Sequence, residues 1–121
     1  ELNPENADAL NALGYTLTDQ TDRHEEALVL IERALAIKPD EAAFIDSLGW
    51  VNYRLNNFEE AVVHLRRALT LFPNDEVAAH LGEALWALGN TEEAQKVWQE
   101  ALKQTPDSSI LIKVIEKFTA N

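Results

Sequence analysis

The chain has no cysteine and no methionine among its 121 residues. Without cysteine there is no disulfide, no thiolate nucleophile and no cysteine-ligated zinc, and the composition suits a reducing or an oxidising compartment equally. Positive charge is scarce, with 10 Lys and Arg against 21 Asp and Glu and a formal net charge of -11. A nucleic acid partner demands a basic stripe to neutralise its phosphates, whereas Arg33, Lys38, Arg54, Arg66, Arg67 and Lys96 are interspersed with carboxylates. No apolar run approaches the length needed to cross a bilayer, so direct membrane insertion by this segment is not expected. Glycine and proline number only four each, and they are informative through their positions.

Proline recurs at Pro4, Pro39, Pro73 and Pro106, and ahead of each later proline lies the same pattern of two amphipathic segments. The pairs Leu13-Gly14, Leu48-Gly49 and Leu81-Gly82 are followed by Ala27, Ala61 and Ala94, then by Ala34, Ala68 and Ala101. Large residues follow the first alanine of each unit at a spacing of four, namely Ile31, Leu65 and Trp98. A period of about 34 residues with two helical segments marks units that cannot bury their apolar faces alone and must stack. Gly and Ala leave room where the two helices cross, and larger residues there would force them apart.

These residues resemble the tetratricopeptide repeat, with its Leu-Gly in the first helix, small alanines at the crossing and a closing proline. The resemblance covers nearly the whole chain. It implies an all-α fold, a right-handed α-solenoid of about three stacked helix-turn-helix repeats, at about 7-40, 42-74 and 75-107, plus a capping helix at 108-119. Helices are predicted at roughly 6-20, 23-37, 41-55, 58-71, 75-88, 91-104 and 108-119. Two departures from the pattern fall in turns: one extra residue within Asp19 to His24, and one residue fewer after Pro73. Asp22 with Glu25, Asn57 with Glu60 and Asn90 with Glu93 have the spacing of capping boxes. Asp40, Asn74 and Asp107, each following a proline, are expected to start the other helices.

The two ends differ. Glu1-Leu2-Asn3-Pro4 matches the closing residues of a unit, so the chain is read as a piece of a longer protein whose first unit lacks its upstream neighbour. From Ser109 to Thr119, Leu111, Val114, Ile115 and Phe118 form one apolar face suited to closing a stack, while Ile110 and Ile112 lie off it.

Nothing in the sequence points to catalysis or to a cofactor. His24, His64 and His80 sit in no nucleophile or metal motif, and His80 with Glu83, three apart on one helix face, supplies two ligands where a site needs more. The paired glutamates at helix starts are explained by the helix dipole. No enzyme activity, cofactor or metal is expected.

What remains is an interaction surface. The resemblance implies that the first helix of each unit lines a groove through residues near its glycine: Asn11 and Tyr15; Asp46, Trp50, Tyr53 and Arg54; His80, Glu83 and Trp86. An aromatic row with polar neighbours has the composition of a peptide-binding hot spot. Family members that hold acidic C-termini use a clamp of lysines, arginines and asparagines; this chain lacks it, and Asp8, Asp46, Glu76 and Glu83 favour a basic or apolar protein segment instead. The expected function is therefore a non-catalytic scaffold or adaptor, with self-association through an exposed terminal unit as the alternative. The wording at 46-51 and 77-89 is similar to the C-terminal repeats of bacterial cell-envelope repeat lipoproteins, some of which present substrates to periplasmic proteases or support envelope assembly. That likeness implies a periplasmic or outer-membrane-anchored setting, with the cytoplasm as the other choice.

Overall fold

The computed structural model describes residues 6-120, so the reading of residues 1-5 as the end of a preceding unit lies outside the described residues. These residues form seven helices: α1 Ala7–Gln20, α2 His24–Ile37, α3 Ala42–Arg54, α4 Phe58–Leu71, α5 Asp75–Ala87, α6 Thr91–Gln104 and α7 Ser109–Thr119. No strand occurs among the described residues. Every helix lies within a few residues of its expected place. Helices pack as the pairs α1 with α2, α3 with α4 and α5 with α6, each pair leaning on the next, and α7 closes on α5 and α6. The first helices also touch in series, α1 against α3 and α3 against α5, forming one continuous wall.

The glycines explain how closely the pairs nest. A Cβ on Gly14 would lie 2.7 Å from Ile31 Cγ1, one on Gly49 would lie 2.6 Å from Leu65 Cγ, and one on Gly82 would overlap the Trp98 indole. In each unit, then, the large residue of the second helix presses onto the bare backbone of the first. Ala27, Ala61, Ala94, Ala34 and Ala68 are buried at the crossings, and Ala101, the sixth landmark, is partly buried against the same cluster as Ala94. The broadest apolar cluster runs from Ala61 through Trp98 to Val114, with Ile115 and Phe118 against it, whereas α1 and α2 contribute to two smaller clusters. Ile110 and Ile112 are exposed, off the buried face of α7.

Turn chemistry departs from expectation. After α3 and α5 the chain reverses through left-handed residues, Asn56 at φ 68° and Gly89 at φ 91°. The Asn57 amide bonds Asn52 O and the Asn56 amide bonds Tyr53 O, with the same pair of bonds repeated at Asn90 and Gly89; this is the Schellman arrangement. The extra residue of the first unit is absorbed by one more residue of helix at Gln20, and the chain leaves α1 through an extended Thr21.

The capping boxes are absent. Arg23, Asn57 and Asn90 hold the N-cap positions of α2, α4 and α6 with ψ between 56° and 70°, and none makes a side-chain cap bond. A cap oxygen reaches the first-turn amides from an extended backbone, and these tight turns do not provide one. Two of the three glutamates are engaged elsewhere: Glu60 faces His64, and Glu93 pairs with Arg66 at 2.8 Å. True side-chain caps are Asn6, Asn74 and Ser108, all with extended backbone. Asp40 and Asp107 therefore do not start helices; α3 begins after Glu41, and Asp40 instead accepts from Arg67 at 2.8 Å.

Candidate functional site

The wall made by α1, α3 and α5 is written by one spacing used three times. Asn11, Tyr15 and Thr18, then Asp46, Trp50 and Tyr53, then Glu76, His80 and Glu83 each run at intervals of four and three, which places each trio on one helix face. Because the helices lie side by side, these trios meet.

Their contacts are specific. The Trp50 ring stacks on Tyr53 at 4.9 Å and 14° and on His80 at 4.1 Å and 20°. His80 Nδ1 lies 3.0 Å from Asp46 Oδ1, a buried link between the second and third pairs. From the first pair, the Tyr15 hydroxyl donates to Glu76 Oε2 at 3.1 Å, joining residues 61 apart in sequence. Trp50 is consequently only 8% exposed. Of the expected aromatic row, Trp50 and Tyr53 stack on one another, and Trp50 is a layer of the wall, packed under its neighbours.

Electrostatics follow from that crowding. Burial works to lower the His80 pKa, yet the hydrogen bond and charge of Asp46, with Glu76 and Glu83 nearby, hold it above the ordinary imidazole value. Glu83 is pushed up by burial, offset in part by His80, Lys117 and Arg54. The Tyr15 phenol is raised chiefly by burial and further by Glu76 and Asp19.

Trp86 turns inward: it lies 5.9 Å from Trp98 and 5.7 Å from Phe118, in the cluster that seats α7. Trp98 is fully buried, its indole donating to Ala79 O at 3.3 Å. Tyr53, Arg54 and Glu83 retain partial exposure, and Asn11 is partly buried with its Oδ1 unpartnered. A cleft of about 290 Å³ opens between Trp50, Glu76, His80 and Glu83 on one side and Ile110, Lys113, Val114 and Lys117 of α7 on the other. A larger cleft of about 440 Å³, bordered by Leu69, Pro73, Lys96, Val97 and Gln104, contains none of the expected groove residues.

Two parts of the site escaped sequence reasoning. His80 pairs with Asp46 and neighbours Glu76, rather than forming a site with Glu83 alone. The repeat period could have found this, since Asp46 and His80 are separated by 34 residues. The α7 side of the cleft had no such signal, because a capping helix follows no repeat rule. Asp46, Glu76 and His80 are also a set of side chains that could hold a metal ion.

Two models of the tetratricopeptide repeat match the chain, one over residues 53–113 and one over residues 1–42. TPR repeat-containing protein PA4667 of Pseudomonas aeruginosa is 55% identical over 80 residues, which is 66% of this chain and 14% of that protein. Bacteriophage adsorption protein A of Escherichia coli is 33% identical over 90 residues, 74% of this chain and 9% of that protein. The chain thus spans a small part of the curated relatives it matches. Among solved structures, the Sgt2 TPR domain from Aspergillus fumigatus aligns with TM-score 0.82 at 17% identity, covering 92% of this chain and 75% of that one. The first TPR of Spaghetti (RPAP3) bound to the HSP90 peptide SRMEEVD aligns with TM-score 0.81 at 20% identity, covering 96% and 92%. Serial helix pairs, glycines pressed by the following helix and the matching family models lead to one assignment: the chain belongs to the tetratricopeptide repeat family, folded as an all-α solenoid.

Proposed function

We propose that this chain is a non-catalytic scaffold that holds a basic or apolar segment of another protein against the wall of α1, α3 and α5. The observation that carries the reading is the cleft beside α7, where Glu76 and Glu83 stand near the exposed Ile110 over buried Trp50 and Val114, with Lys113 and Lys117 on the α7 side. Carboxylates next to apolar area suit a segment that brings a cation and a hydrophobic side chain together. The structure of the RPAP3 repeat with a bound peptide lends the fold-level precedent. That peptide, SRMEEVD, is acidic at its end, whereas the wall here carries Asp46, Glu76 and Glu83.

Asn11, Tyr15, Tyr53, Arg54 and Glu83 are the groove residues with surface to offer, while Trp50 and Trp86 act by shaping it. A role in bacterial envelope assembly or proteolysis, in the periplasm or at the outer membrane, is the finer form of the proposal; the 55% identity to a Pseudomonas aeruginosa protein supports a bacterial setting. The test is Glu83→Lys in the full-length protein. Partner affinity should fall about tenfold, the scale of one misplaced charge at an interface, and a melt checks that the variant, whose new charge stands near Arg54 and Lys117, remains folded. Unchanged affinity in a folded variant would remove the groove from the binding surface.

Self-association is the second reading, favoured by exposed Leu13 on α1 and by Ile110 and Ile112 on α7. Sedimentation across a concentration series decides it, since a monomer at the highest concentration excludes it.

A further inference from the structure

We propose that Asp46, Glu76 and His80 bind one divalent transition-metal ion, of the zinc and cobalt class, at the seam between the second and third helix pairs. Glu76 and His80 are four apart on α5, so their side chains rise from the same face, and Asp46 reaches them from α3. One ligand atom from each of the three lies within 4.8 Å of the others. Zinc binds carboxylate oxygen and imidazole nitrogen at about 2.0–2.2 Å in a tetrahedral shell, which sets neighbouring ligand atoms roughly 3.3 Å apart. His80 Nδ1 and Asp46 Oδ1 already stand 3.0 Å apart, and the ion would replace the proton now shared between them, which is released to solvent on binding. Glu76 is exposed, so a small rotation of its side chain completes the triad.

The surroundings resemble support for a ligand set. Metal-bound imidazoles and carboxylates are held in place by outer partners; here the Trp50 ring lies parallel to the His80 ring at 4.1 Å, and Tyr15 donates to Glu76. The cleft bordered by Glu76 and His80 gives a fourth ligand, water or a side chain from a partner, a way in. Two carboxylates and one imidazole are hard-to-borderline donors, a set that suits zinc and cobalt and disfavours copper(I). The net charge of -11 raises the local concentration of cations.

The proposal stands apart from the scaffold reading, because the metal alone is the probe and no protein partner is needed. The full chain, stripped with chelator, is titrated with Co2+ followed by its visible absorption and with Zn2+ followed by calorimetry. One saturable equivalent per chain is expected, with Trp emission changing in parallel because Trp50 rests on a ligand ring. Glu76→Gln, at an exposed position outside the buried Asp46 and His80 pair, should weaken binding by about tenfold or more, whereas Glu92→Gln on α6 should bind as the parent does. His80→Gln should abolish binding, and circular dichroism checks that this variant folds. Absence of a saturable equivalent, or Glu76→Gln binding with parent affinity, would reduce the cluster to a buried ion pair with a neighbouring acid.

Discussion

Gly82 carries a heavier constraint than Gly14, because the group it makes room for is a rigid indole rather than a branched aliphatic chain. Trp98 is fully buried and bonded to Ala79 O, so any displacement of its ring gives up that bond and its packing. Alanine at either glycine gains up to about 1 kcal/mol of helix propensity, but overpacking costs about 1–3 kcal/mol. Gly82→Ala should therefore destabilise by about 2 kcal/mol, and Gly14→Ala by less than about 1 kcal/mol, measured as shifts in urea midpoint. The glycine and alanine positions at the crossings were legible in sequence because close backbone contact at the same place in each unit leaves small residues that recur with the period. Trp50 was not. Its position on the wall followed from spacing, but its burial depends on how tightly successive pairs curl, which no single unit records. That curl brings Tyr15, His80 and Glu76 together around it.

Helix existence was readable from periodicity, whereas helix starts were readable only in part. Asn57 and Asn90 have the right side chain at the N-cap but the wrong backbone, since each follows a left-handed residue in a three-residue connection. Asn74 has both, and its side chain accepts from the Val77 amide at 2.9 Å. Ser108 does more: it accepts from the Leu111 amide at 3.1 Å and donates to Asp75 Oδ2 at 2.7 Å, fastening α7 to the start of α5. Ser108→Ala should cost about 1–2 kcal/mol and Asn57→Ala a few tenths, because only the first removes an existing cap. Amide hydrogen exchange localises the effect, with faster exchange confined to α7 in the serine variant.

At the scale of the molecule, the packing is graded along the chain. The largest cluster joins α4 through α7, while the backbone of α1 packs beside α2 and α3. Stability in stacked arrays is a sum of unit and neighbour terms, so the end with fewer neighbours opens first. The three tryptophans, Trp50, Trp86 and Trp98, all lie from α3 onward. Urea should thus reduce the far-UV circular dichroism before it changes tryptophan emission; coincident curves would indicate one cooperative unit instead. The order of helices was plain from the period, but this gradient was not, because it arises from the side chains that α7 adds to the third pair. One bond runs against the gradient. Tyr15 reaches from α1 past α3 to Glu76 on α5, and a coil held by such a tether has a stop built into its travel. Uncurling the stack would have to break this link, at a cost of about 1 kcal/mol.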